Sequence, residues 1–359
     1  CTAACRICCQ SRLKTGPTLR PFVIRTAVIV TTIALLAVAV FEYRHRQAVQ
    51  RAKVLFANTE VQPLGPIGST RTLSILPLME FHGDRPGLKT EVGISYLVET
   101  DNHRILYDVG HNAAGESPSP LEHNMKIIGV DLASIDTVFI SHNHLDHVGG
   151  MHWQRAKSFS LGVEQHPFPN PRTRLIAPDT MSYPGMLAVY ADSPMRIGEG
   201  IGSTGLATTG TIGRKLPVGW IEEHSLVVMV EGLGGIIIVA CGHQPVPNLL
   251  RRYDAVFEEP LYGIIGGLHF PVPEGRIHIG PLDVQRQLAS GDGVFRPLDM
   301  PEVERQLALL QERDLGIIAV SGHDSSDEVI ERVRLEFGKA HRYIRVGEEI
   351  VISAVEPEL

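Results

Sequence analysis

Apolar and polar positions along this 359-residue chain follow two distinct patterns. From Phe22 to Phe41 the run FVIRTAVIVTTIALLAVAVF has no polar face to interrupt it. Its uncharged part, Thr26 to Phe41, would reach ~24 Å as a helix and the whole ~30 Å, enough for the hydrocarbon core of a bilayer. Arg25 lies near one end, where its side chain can snorkel to the headgroups. Basic residues flank both sides, Arg12, Lys14 and Arg20 before the run and Arg44, Arg46 and Arg51 after it. A single membrane-spanning helix over 22–42 is the expected element. A cleaved signal peptide, with Ala37-Val-Ala39 as its small-residue site, is the alternative. The flanking charges nearly balance, and a slight N-terminal excess favours a body outside the cytoplasm.

Beyond it the pattern changes. Residues 43–72 begin charged and polar, then pass Pro63, Gly65, Pro66 and Gly68, so they read as a linker. From 73 onward short β-branched runs predict strands at 73–79, 93–99, 104–107, 137–140, 225–231, 235–240, 261–265, 316–320 and 349–354. Helical patterns lie between some of them. Pro301 to Arg313 has an early proline, acids in its first turn, and Val303, Leu307 and Leu310 on one face. Ser325-Ser-Asp-Glu328 fits a capping box before an amphipathic run that stops at Gly338. Strands mixed with helices over 73–355 imply one layered α/β domain. The stretches 152–220 and 270–300 are rich in Pro, Gly and polar residues and read as long loops.

Composition adds little except at the cysteines and histidines. With 43% hydrophobic and 20% charged residues, the chain is an ordinary globular one. A formal net charge of −7 gives no general pull toward nucleic acid. Cys1, Cys5, Cys8 and Cys9 crowd residues 1–21, and only Cys241 lies in the body. A disulfide framework for the body is excluded. This cluster could bind metal, carry acyl chains or have no role, and the Cys8-Cys9 adjacency, which departs from the usual Cys-x-x-Cys metal spacing, favours the last. The chain starts at cysteine rather than methionine, which reads as a truncated, processed or misassigned start. Sixteen histidines are a generous supply, and their placement matters more.

The densest chemistry is Thr137-Val-Phe-Ile-Ser-His-Asn-His-Leu-Asp-His-Val-Gly-Gly150. A buried strand ends, and His142, His144, Asp146 and His147 follow within six residues. Packing four such side chains as core without a compensating ion would be costly. His142 and His144 alternate past the strand end, so both imidazoles can point one way. Asp146 and His147 follow the turn and can face a second ion. Imidazole and carboxylate donors suit zinc, and also iron or manganese.

His-x-His-x-Asp-His after a strand resembles the signature of the metallo-β-lactamase superfamily. Glu91 to Glu99, Arg104 to Gly110, Asn124, Ser141 to Gly150, Ala240-Cys-Gly-His243, Gly266 to Phe270 and Ser321-Gly-His323 occur in the order of one branch. That branch resembles 7,8-dihydropterin-6-yl-methyl-4-(β-D-ribofuranosyl)aminobenzene 5′-phosphate synthase and its bacterial relatives, across about 73–354. The resemblance implies a four-layer αββα sandwich, preceded here by the single transmembrane helix, and two divalent cations. It makes His243 the third ligand of the first ion and His323 the last ligand of the second. It makes Asp108 the acceptor that orients a ligand imidazole; alone, Asp108 reads as a turn carboxylate before Gly110. Glu91 and His269 become candidate substrate contacts, His269 also a candidate ligand. Cys241 sits where related hydrolases carry a bridging carboxylate, and a buried inert thiol is the competing reading. The chain departs from the branch where Cys-Ser-His is Cys241-Gly-His243 and where His-Cys-Thr-Gly is Gly322-His-Asp-Ser325.

The expected activity is metal-dependent hydrolysis of an ester- or phosphoester-like small molecule by water activated between two cations, with Asp146 or the hydroxide itself handling the proton. A transferase of the synthase type and a metal-binding sensor without turnover are the alternatives. A nuclease is disfavoured by the lack of a basic, aromatic-interleaved surface.

Overall fold

The computed structural model describes residues 19–209, 221–289 and 296–354. Cys1, Cys5, Cys8 and Cys9 lie outside them. The chain divides into two compact units, residues 1–43 and 44–359. In the first unit the apolar run is helical, part of helix α1 (Leu19–Asn58). It is long and apolar enough to cross a membrane or to serve as a signal sequence, and its aliphatic side chains from Val23 to Val40 are exposed. The remainder of α1, from Arg44, belongs to the second unit. Half of the expected linker is therefore helix: between Arg44 and Asn58 the sequence holds Ala, Gln, Arg, Lys, Val and Leu with no Gly or Pro to break it. Near its end Phe56 lies 5.1 and 5.3 Å under the Arg251 and Arg252 guanidinium groups. The rest of the linker is docked too, with Ile67 buried in the core and the Leu64 N–H on the Val256 carbonyl.

The second unit is built on two mixed sheets. In chain order β1 (Thr72–Met79), β2 (Ser95–Thr100), β3 (Arg104–Tyr107), β4 (Thr137–Phe139), β5 (Arg174–Ala177) and β6 (Leu187–Tyr190) form the first. Strands β7 (Met195–Gly198) and β8 (Ile201–Ser203) open the second, and β9 (Ala207–Thr209) pairs with β10 (Ile221–Glu223) apart from both. Then come β11 (Leu226–Val230), β12 (Gly234–Val239), β13 (Leu261–Gly266), a small hairpin β14 (His278–Ile279) and β15 (Leu282–Asp283), β16 (Ile317–Val320) and β17 (Ile350–Ser353). The first sheet runs β17-β1-β2-β3-β4-β5-β6, and the second β16-β13-β12-β11-β8-β7. Strands β3 to β6 are parallel, as are β12, β13 and β16.

Alternation along each strand explains the layers. In the second sheet Leu226, Val228, Ile236, Ile238 and Ile265 face inward against Leu73, Ile75, Tyr96, Val98 and Phe139 of the first. Their neighbours Val227, Ile237, Val239 and Ile264 face outward, onto helices α4 (Val246–Val256), α6 (Met300–Gln311) and α7 (Asp327–Phe337). Helix α2 (Pro120–Ile128) covers the outer face of the first sheet, packing Leu121 and Met125 near Leu106 and Val138. Strands buried on both faces read as unbroken apolar runs, and each fully buried aliphatic side chain contributes about 1.5–3 kcal/mol. The result is the expected αββα sandwich. Short helices α3 (Met151–Ala156) and α5 (Val284–Ala289) complete the described α-helices.

All nine expected strands are present within a residue or two. The cap of α7 is Ser326 rather than Ser325, because the Ser326 hydroxyl accepts from Val329 N–H. The stretch 152–220, expected as loops, holds β5 to β9: these strands are three or four residues long, and β6 is largely exposed, so no apolar run marks them.

Candidate metal centre

The parallel strands of the two sheets end at one rim. All the candidate side chains but Glu91 follow such an end: Asp108 after β3, His142 to His147 after β4, Cys241 and His243 after β12, His269 after β13, His323 after β16. Loops outside the carboxyl ends of parallel strands are where α/β sheets place ligands.

Two donor groups meet there. In the first, Nδ1 of His144 lies 3.2 Å from Nε2 of His142 and 3.2 Å from Nε2 of His243. Tetrahedral zinc held by imidazoles sets neighbouring nitrogens about 3.3 Å apart, from bonds of about 2.0–2.1 Å. In the second, one ligand atom each from Asp146, His147, Cys241 and His323 lie within 4.8 Å of one another. His142, Cys241 and His243 satisfy the same limit. Thus His243 and His323, about 100 and 180 residues downstream, are brought to the His142–His147 loop.

Hydrogen bonds at the far side of the rings decide what faces inward. The Ser141 hydroxyl donates to Oδ2 of Asp108 (2.6 Å), so its oxygen accepts from Nδ1–H of His142 (2.9 Å). Asp108 also accepts from Nδ1–H of His147 at 2.8 Å and from the Ser141 amide at 2.8 Å. A parallel arrangement serves His323. The Ser321 hydroxyl donates to Oε2 of Glu80 (2.7 Å) and accepts from Nδ1–H of His323 (2.7 Å). Tyr96 O–H and Phe81 N–H complete the donors on Glu80, both at 2.8 Å. With Nδ1 carrying the proton, the Nε2 lone pairs of His142, His147 and His323 are the ones that converge.

The electrostatics favour a cation among them. Burial, then the neighbouring imidazoles, pushes His142 and His243 well below the ordinary histidine range, so they are neutral donors. His323 moves the same way, from burial and then His147. Burial alone would raise Asp146, but His147, His144 and His323 hold it below the usual carboxylate range. For His147 burial acts downward and is outweighed by Asp146 and Asp108, which favour positive charge there. Converging imidazole nitrogens beside the Asp146 carboxylate, held below its usual range, fit a divalent ion.

Glu91 and His269 occupy different positions from the clustered donors. Oε1 of Glu91 accepts from the His111 and Asn112 amides at 2.8 and 3.0 Å, closing the loop after Asp108. The His269 ring stands edge-on to His243 with centroids 4.7 Å apart, and burial lowers its pKa to about 4. Its backbone, at φ 54°, is held by Oδ2 of Asp324. Sequence reasoning missed Glu80, Ser141, Ser321, Glu223 and Asp324. Oε1 and Oε2 of buried Glu223 accept from the Gly242 and Gln244 amides at 3.0 and 3.3 Å, clamping the turn that carries Cys241 and His243. Burial pushes Glu223 up to about 7. The one available signal was a serine placed at a strand end just before a candidate histidine, in both Ser141-His142 and Ser321-Gly-His323.

The family model described as the metallo-β-lactamase superfamily matches residues 90–257. Over those residues the chain is similar to that superfamily. A curated relative from Methanocaldococcus jannaschii, 7,8-dihydropterin-6-methyl-4-(β-D-ribofuranosyl)-aminobenzene-5′-phosphate synthase, is 25% identical, covering 56% of this chain and 79% of its own. A solved metal-dependent hydrolase of the β-lactamase superfamily superposes with a TM-score of 0.52 at 17% identity, covering 78% of this chain and 99% of that one. That likeness shows a shared fold.

Proposed function

We propose that this metallo-β-lactamase-fold protein is a membrane-anchored hydrolase that uses a dinuclear site, with zinc as its ions, on an ester- or phosphoester-like small molecule. The observation that carries the reading is the inward convergence of three Nε2 lone pairs whose Nδ1 protons are all committed to oxygen. His142, His144 and His243 would hold one ion, and Asp146, His147 and His323 the other. Bound there, the two cations would lower the pKa of a shared water toward neutrality and polarise a carbonyl or phosphoryl oxygen.

The chain's own residues supply the rest. Asp108 and Glu80 fix the imidazole tautomers through Ser141 and Ser321, so the donors are set before any substrate arrives. Asp146, 17% exposed where His147 is sealed, is the candidate ligand best placed to exchange a proton with a reacting water. His269 beside His243 lines the approach and is the candidate substrate contact, neutral at physiological pH. For Glu91 the bonds to the 111–112 backbone support a role in shaping that approach. Anchoring rests on α1: a bilayer would remove its exposed aliphatic surface from water at about 25 cal/mol per Å².

The name of the archaeal relative favours a second reading, transfer of a pterin group to an aminobenzene ribotide. The two differ in what attacks, and the same ligands would serve both. Metal analysis of the detergent-solubilised full chain, with ester, lactone, thioester, phosphodiester and pterin substrates, tests them together. Two ions per chain and hydrolysis lost in His142→Ala and His144→Ala are expected. Turnover only with a paired pterin donor and amine acceptor would select transfer, and a loaded chain with no turnover would select the sensor.

A further inference from the structure

Past Val320, β16 gives way to an irregular connection, residues 321–326, that carries His323 and leads into α7. The carbonyls of Gly322 to Ser325 lie beyond the last ladder pair, Gly266 with Val320, and before the helix. Their hydrogen-bond donors must therefore come from elsewhere. Arg276, at the base of the β14–β15 hairpin, supplies two of them. Its Nε donates to the Gly322 carbonyl and its Nη2 to the Ser325 carbonyl, both at 2.9 Å, one on each side of His323. We infer that Arg276 is a positioning residue for His323, holding the loop that aims this imidazole at the second ion; this rests on the dinuclear reading above.

The guanidinium is fixed from other directions as well. It lies over the Phe81 ring, 4.2 Å from the centroid, and the side chain is only 13% exposed. Phe81 follows Glu80, the carboxylate that sets the His323 tautomer through Ser321, and its amide donates to Glu80. Ring orientation and loop position of His323 thus meet at one stack. Nη2 also donates to Oδ1 of Asp327 at 2.5 Å, which His82 Nε2 reaches at 3.0 Å. Asp327 is 69% exposed, so that ion pair contributes little by itself. The charge-assisted bonds to the two carbonyls carry the grip. The hairpin is tied in at the same point: the Arg276 amide donates to Oε1 of Gln285 at 2.6 Å, and Nε2 of Gln285 lies 3.5 Å from the His323 carbonyl. A lysine ammonium on its flexible stem cannot span two carbonyls as a planar fork while stacking on a ring.

The test is zinc titration of the full chain in detergent against a chromophoric chelator, with Cys1, Cys5, Cys8 and Cys9 changed to serine. Circular dichroism of the metal-free protein establishes the fold of each variant. The parent should bind two ions. Arg276→Lys keeps the charge but loses the fork, and should weaken one ion about tenfold while the other stays within twofold. A second arm starts from His323→Ala. There, adding Arg276→Lys should leave the remaining ion within twofold, because the imidazole through which Arg276 acts is gone. A lysine variant that binds both ions as the parent does would overturn the positioning role. Equal weakening of both ions, a further loss in the His323→Ala background, or an unfolded lysine variant would overturn it too, since each shows a part in the fold at large. A parent that takes up fewer than two ions fails the dinuclear reading itself, and the positioning role with it.

Discussion

Asp108→Asn isolates the effect of imidazole orientation on metal binding. The residue sits at φ 52°, a left-handed conformation that asparagine tolerates as well as aspartate. Volume and backbone are therefore preserved. The carboxylate takes three donors: the Ser141 amide on Oδ1, and the Ser141 hydroxyl and His147 Nδ1–H on Oδ2. A carboxamide has one acceptor oxygen. If that oxygen keeps the Ser141 amide, its NH2 faces Nδ1 of His147 and requires that nitrogen to accept. The imidazole proton then moves to Nε2, aimed at the site where a lone pair is needed. Losing such an orienting partner weakens metal binding by about 10- to 100-fold, or about 1.4–2.7 kcal/mol. The assay is zinc competition against a chromophoric chelator, with circular dichroism of the metal-free variant to establish its fold. A folded variant that binds both ions within twofold of the parent would refute the orienting role.

Three further outcomes follow from other contacts. Ser321→Ala removes the acceptor of His323 Nδ1–H and should weaken one of the two ions about tenfold while sparing the other; equal loss of both in the same titration would contradict separate sites. Phe139 is fully buried and stacked between Tyr107 (5.2 Å) and His224 (4.2 Å), so Phe139→Ala should cost about 3–5 kcal/mol in denaturant unfolding. Buried His224 donates from Nε2 to the Ile140 carbonyl, and burial lowers its pKa from 6.5 to about 4. The unfolded chain binds that proton more readily, so the stability from neutral His224 is present above pH 6.5 and lost as pH falls through about 4. At about 1.36 kcal/mol per unit this is about 3 kcal/mol. The stability difference between the parent and His224→Gln, measured without metal, should shrink by that amount over the window, and a flat difference would refute the shift.

Much of this protein was legible in one dimension because the physics that sets it is local. An uncharged run from Thr26 to Phe41 makes a helix long and apolar enough, with its flanks, to cross a membrane. Short β-branched runs make strands that are largely buried, which is why nine of them could be located. His142, His144, Asp146 and His147 announce themselves because four donors within six residues have few other uses. Elements that break those rules were not legible: β6 is exposed and β8 only three residues long, and a helix continues through residues expected as a linker.

Tertiary structure alone decided which distant groups share a site and which way they face. No spacing along the chain tells that Glu80 reaches Ser321, 241 residues away, to set a tautomer. Nor does it tell that Glu223 grips the turn at Gly242, or that Glu91 closes a neighbouring loop through backbone amides. A carboxylate or a thiol takes its role from burial and partners, and those exist only once two sheets have brought their parallel strand ends to one rim.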